Sequence, residues 1–141
     1  RVTPDNKMEL LELFDLANPT ECYQRRESVV PQQALVMTNS PLALNQARIL
    51  ARTLFTAYEN DRDFLLAAFE TILSRTPTPE EATACHRFLA RHERLLSDVT
   101  KLTPFAANKT TALPPATDAR VRARENLVHT LFSHNDFVTI R

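Results

Sequence analysis

Two adjacent carboxylates, four histidines, two cysteines and two groups of arginines are the residues of this chain whose types could carry chemistry. Glu80 and Glu81 could form an acid and base pair, but adjacent helical residues diverge by about 100°, so their oxygens would not face one substrate. Thr78-Pro79-Glu80-Glu81 reads instead as a helix start, with a threonine cap, a first-turn proline and a glutamate three residues after the cap. His92 falls on the apolar side of that helix among Phe88, Leu89, Leu96 and Val99. A metal ligand there wants a partner at i±3 or i±4, and Phe88, Leu89, Leu95 and Leu96 occupy those places. Cys85 stands two turns away, roughly 10 Å, too far for an ion held at about 2 Å. His86, His129 and His134 show no ligand spacing, and Cys22 and Cys85 lack the short spacing of a zinc or redox motif. No metal site and no catalytic residue is expected.

The arginines remain. Arg25, Arg26, Ser28, Gln33 and Asn39 form the densest polar group, which would bind an anion or tie a loop to the helices by charge-assisted bonds. Arg120, Arg122 and Arg124 alternate along a helix and so make no single stripe. Arg124 shares a face with Val121, Val128, Leu131 and Phe132, so its charge must snorkel or be paired, with Glu70, Asp98 and Asp136 as the expected partners.

The elements that must position these groups are helical. Residues 4–18 carry Met8, Leu10, Leu11, Leu13 and Phe14, a short helix or a segment laid on an apolar surface. Leu10, Leu11, Leu13 and Phe14 are too apolar for a free chain end and are the candidate interface. Residues 19–30 read as a loop, 31–39 as a short helix in which Asn39 supplies the left-handed end. Ser40-Pro41 starts an amphipathic helix to about Tyr58, with Leu44, Ala47, Ala51, Leu54, Phe55 and Tyr58 inward and Asn45, Arg48, Arg52 and Thr56 outward. The helix over 61–74 has the widest apolar face and is expected at the centre. The next runs from Pro79 to about Leu102. Prolines and threonines make 103–117 a loop, expected to be mobile; Asp118 caps a helix to about Ser133, and residues 135–141 read as a turn and a short extended tail.

Composition sets the frame. Glycine is absent, which excludes phosphate loops, dinucleotide-binding turns and the glycine-flanked nucleophile elbow, and removes the best residues for tight hairpins. Basic and acidic residues balance at 17 each, so no long-range field draws the chain to nucleic acid. No apolar run is long enough for membrane insertion. The expected fold is all-α, an irregular or orthogonal bundle of five to six helices in one domain over 1–141.

Three stretches give a resemblance. Leu10 to Asp15 with residues 25–35 and Asn39-Ser40-Pro41, then Leu73-Ser74-Arg75-Thr76-Pro77-Thr78-Pro79-Glu80-Glu81, then Leu131-Phe132-Ser133-His134-Asn135-Asp136-Phe137 resemble the planctomycete-specific domain of unknown function 1553. That domain ends many large bacterial proteins carrying c-type cytochrome domains. Members typically have glycine where this chain has Ser74, and Asn-Glu-Phe where it has Asp136. The resemblance implies a C-terminal piece of an exported, periplasmic parent whose upstream domains, or another protein, are its partners. It supplies no catalytic residue, and without Cys-x-x-Cys-His any haem belongs elsewhere, so no cofactor is expected in this domain. The function expected is a non-catalytic packing or interaction module; the alternative is part of an enzyme site completed upstream, in polysaccharide breakdown or haem-linked electron transfer.

Overall fold

A computed structural model of the protein describes residues 35, 39–105 and 113–138. The chain is all-α: five helices pack together, and no strand occurs among the described residues. They are α1 (Pro41–Ala57), α2 (Asp61–Leu73), α3 (Pro79–Ser97), α4 (Ala119–Phe132) and the single turn α5 (Asn135–Val138), with a 3₁₀ turn at Val99–Lys101. The helix starts follow from local side chains. Ser40, Asn60, Thr78 and Asp118 each accept a hydrogen bond from an amide in the first turn, and Thr78 with Glu81 completes the reciprocal capping box.

The centre is α4, not α2 as its wide apolar face suggests. α4 lies between α1 and α3 and packs against both. Half of its residues are buried: Ala123, Arg124, Glu125, Leu127, Val128, Leu131 and Phe132. Against it α1 sets Ala43, Ala47 and Ala51, a line of small residues one turn apart that lets two helices approach closely. Phe64, Leu65, Ala68, Phe69 and Ile72 of α2 and Leu89 of α3 complete the core. Arg48, expected outward, is buried beside Ala47 and Ala51, while Tyr58, expected inward, is exposed.

Lacking glycine, the chain ends its helices by other means. Asn39, expected to end the short helix before α1, donates its side-chain amide to the Leu35 carbonyl at 2.9 Å, which caps that turn directly. α3 stops at Ser97 rather than Leu102, because Asp98 leaves helical geometry and its carboxylate takes Lys101 at 2.7 Å and the Thr100 hydroxyl. The tail differs too: residues 135–138 form a helical turn, since the His134 carbonyl accepts from the amides of Phe137 and Val138, and Val138 is buried. Residues 139–141 lie outside the described part.

Ser74 takes the left-handed conformation itself, with φ 54° and ψ 29°, and is the one non-glycine residue with positive φ among the described residues. The resemblance leads to the expectation of glycine at this place, and the geometry gives a reason for it: a Cβ there meets the following carbonyl. Ser74→Gly is therefore expected to stabilise the fold by about 1 kcal/mol. Urea unfolding at unchanged slope reads it, and a midpoint that stays put or falls would show that the left-handed cap carries no strain.

Candidate functional site

Three clusters of charge hold the bundle, and each joins elements distant in sequence. In the first, the Arg124 side chain leaves α4 fully buried and turns toward the α1–α2 corner. Its Nη2 donates to Asp61 Oδ1 at 2.6 Å and to the Glu59 carbonyl at 2.7 Å, its Nη1 to the Tyr58 carbonyl at 2.9 Å. The guanidinium also lies over the Phe64 and Phe55 rings, 4.4 and 5.0 Å from their centroids. Arg120 adds a donor to Glu59 O at 2.9 Å. The carbonyls that α1 leaves at its end are thus capped by arginines from α4. Burial alone would push the Asp61 carboxyl up, but the hydrogen bonds and charges of Arg124 and Arg120 hold it below the usual carboxylate range. Arg124 is paired with a carboxylate as expected, but Asp61 takes the place of Glu70, Asp98 or Asp136. Asp61 opens α2, next to the corner whose carbonyls the same guanidinium caps.

In the second cluster the buried Glu125 carboxylate accepts from Arg52 Nε at 2.7 Å and from the Ala116 amide at 3.1 Å. Arg52 also donates to the Pro114 carbonyl at 2.6 Å, and Arg48 donates to the Leu113 carbonyl while stacking over Phe105. Burial lowers the Arg48 pKa, an effect that nearby Glu125 opposes and Arg52 and Arg122 reinforce. Residues 113–116, part of the loop expected to be mobile, are thereby fastened to α1 and α4.

The third cluster brings two of the three recognised stretches together. Arg75 forks onto Glu81, 2.7 Å to each carboxylate oxygen, and its Nε donates to Asp136 Oδ2 at 2.8 Å. His134 stands beside both acids, 3.8 Å from Glu81 and 3.7 Å from Asp136, and its Nδ1 accepts from the Asp136 amide at 3.1 Å. The Arg75 hydrogen bonds, opposed by burial and aided by the Thr78 amide, bring Glu81 down to about 2. A general base working near neutrality needs the opposite displacement. Glu81 is a permanent anion that caps α3 and clamps the α2–α3 corner to the turn before α5.

Of the residues expected at a polar site, Arg25, Arg26, Ser28 and Gln33 lie outside the described part, as do Leu10, Leu11, Leu13 and Phe14 of the candidate interface. Asn39 is exposed and bonded to its own turn, in none of the three clusters. His92 sits half-buried at the boundary, stacked on Phe88 with ring centroids 3.9 Å apart; burial, then Arg91, lowers its pKa. Cys85 is half-buried, and burial, then Glu81, raises its thiol pKa, which suits a packing residue rather than a nucleophile. Among the described residues no group of three or more His, Cys, Asp or Glu could hold a metal ion. The concavities noted, lined by residues between Pro79 and Leu95 of α3, are shallow and open to solvent. Sequence reasoning did not single out Arg48, Arg52, Arg75 or Asp61. Arg48 carried a usable signal, because at about 100° per residue it stands within about 20° of Phe55, at the edge of the apolar arc.

No curated protein and no solved structure was found to match the chain. One family does, described as PSD1, protein of unknown function (DUF1553), over residues 2–89. That span holds the first two recognised stretches, with Arg75 and Glu81, and stops short of the third. With more than half of its length matched, the chain belongs to the DUF1553 family.

Proposed function

We propose that this chain is a non-catalytic helical packing and interaction module of a large, exported multidomain protein of the periplasm, whose upstream domains carry the c-type haem and any enzymatic chemistry. In this reading the module holds no cofactor, binds no nucleic acid and does not enter a membrane; it docks against the upstream domains or a protein partner. One contrast supports it. The buried charges described above are engaged within the fold, while large apolar side chains stay uncovered: Leu42 and Ile49, seven residues apart and so on one side of α1, are 54% and 49% exposed. Leu35 just before α1 is exposed as well. Single exposed leucines are ordinary, but a line of them rimmed by polar residues marks a contact surface.

The test is association of the chain with the polypeptide encoded upstream of it, measured by calorimetry. Leu42→Asp with Ile49→Asp, and Leu10→Asp with Leu13→Asp, are expected to weaken binding at least tenfold while the helical circular dichroism is kept. No association, or association indifferent to all four changes, would remove this reading and favour an enzyme site shared with the upstream region.

A further inference from the structure

The cluster around Glu125 holds more positive charge than the fold neutralises. Arg48 and Arg52 stand at i and i+4 of α1 and so project from one side of it, while Arg122 and Glu125 stand at i and i+3 of α4 and share a side of that helix. Glu125 is bonded to Arg52, and the charge of Arg122 reaches Arg48, so the two sides face each other. Three guanidinium groups thus share one carboxylate, and among the described residues none of them forms an ion pair with any other. Much of their hydrogen-bonding capacity is unused as well. Arg48 is only 7% exposed, yet among the described residues the Leu113 carbonyl, taken by Nη1, is the sole acceptor its guanidinium finds. Buried donors are ordinarily paired. Arg52 commits Nε and Nη2 and keeps Nη1, and the half-buried Arg122 donates to nothing among the described residues.

An excess of two positive charges with several free N–H groups suits an anion whose oxygens accept from more than one guanidinium at once. We propose that Arg48, Arg52 and Arg122 form a binding site for a small, doubly charged oxyanion, of which inorganic phosphate and sulfate are the simplest. A dianion brings the cluster to neutrality, with Glu125 kept on Arg52 and on the Ala116 amide. The Phe105 ring, over which the Arg48 guanidinium lies at 5.3 Å, gives the site an apolar wall. Access is from the partly exposed side chains of Arg52 and Arg122. Arg48 and Arg52 also hold the Leu113 and Pro114 carbonyls, so an anion that relieves the repulsion among the arginines tightens residues 113–116 on α1 and α4. The site lies within the fold and does not depend on the interaction role proposed above.

Equilibrium dialysis of the whole chain against labelled inorganic phosphate, at an ionic strength held constant with sodium chloride, tests it. One saturable site is expected, weakened at least about tenfold in Arg122→Ala and strengthened about tenfold in Glu125→Gln, where the competing carboxylate charge is gone. Arg122→Ala removes a side chain that bonds to nothing among the described residues, so its helical circular dichroism should be unchanged. Arg87→Ala, at an exposed arginine of α3, should bind phosphate as the unaltered chain does. Phosphate should also slow exchange of the Ala116 amide in the unaltered chain and not in Arg122→Ala. No saturable binding, binding indifferent to Arg122→Ala, or weaker binding in a folded Glu125→Gln would overturn the site. An equal loss in Arg87→Ala would overturn it in favour of a diffuse attraction to the whole surface.

Discussion

Arg124→Ala is expected to lower the unfolding free energy by about 3–5 kcal/mol, a large part of the 5–15 kcal/mol typical of a domain this size. The side chain is 0% exposed, so nothing in solvent replaces what it leaves behind. Asp61 loses its shortest partner, the Tyr58 and Glu59 carbonyls lose their caps, and the Phe55 and Phe64 rings line an empty space. Arg124→Lys should recover little, because one ammonium cannot reach a carboxylate and two carbonyls in the directions the guanidinium fork supplies. Asp61→Asn is expected to cost less than Arg124→Ala, since both carbonyl bonds remain. Urea unfolding of the three variants checks the order. A loss under about 1 kcal/mol for Arg124→Ala would show that the α1–α2 corner is capped by something else.

Glu125→Ala is the second large effect, about 3 kcal/mol. The carboxylate is buried in a place where Arg48, Arg52 and Arg122 crowd together, and it also takes the Ala116 amide. Without it the arginines repel one another with Arg48 already out of water, and the amide is left unpaired. Glu125→Gln keeps the shape and one acceptor but not the charge, and should lose more than half as much. Exchange of the Ala116 amide gives a second readout, which should speed up in both variants. An unchanged Ala116 amide in a destabilised protein would mean that the loop is held by Arg48 and Arg52 alone.

These arginines and acids also explain where the fold was legible in the sequence and where it was not. Ser40, Asn60, Thr78 and Asp118 announce helix starts through one short-range bond each, so α1 to α4 begin where the residues place them. The central role of α4 was hidden because Arg120, Arg122, Arg124 and Glu125 make it read as a polar surface helix. It is buried only because each inward charge meets an opposite one more than fifty residues away, as Arg124 with Asp61 and Glu125 with Arg52 do. Periodicity reports the face of one helix, and such pairs exist only after two have met. The Arg124 side chain was recognisable as one needing a partner, but which acid it finds depends on the corner at Tyr58–Asp61, a feature of tertiary structure. The Arg75 clamp was invisible for the same reason: Glu81 accounts for itself fully as a cap until Asp136 arrives beside it.

The position of α4 in the middle of the bundle has a consequence for the order of synthesis. α1 packs on α4, α3 packs on α4, and among the described residues α4 is the last of the long helices in sequence order. While the ribosome is still making the preceding residues, α1, α2 and α3 emerge with their apolar faces and the Asp61 carboxylate lacking the helix that closes over them. Helix-by-helix folding cannot complete this core: the faces that α1 and α3 turn to α4 stay open to water until residues 119–132 have left the exit tunnel.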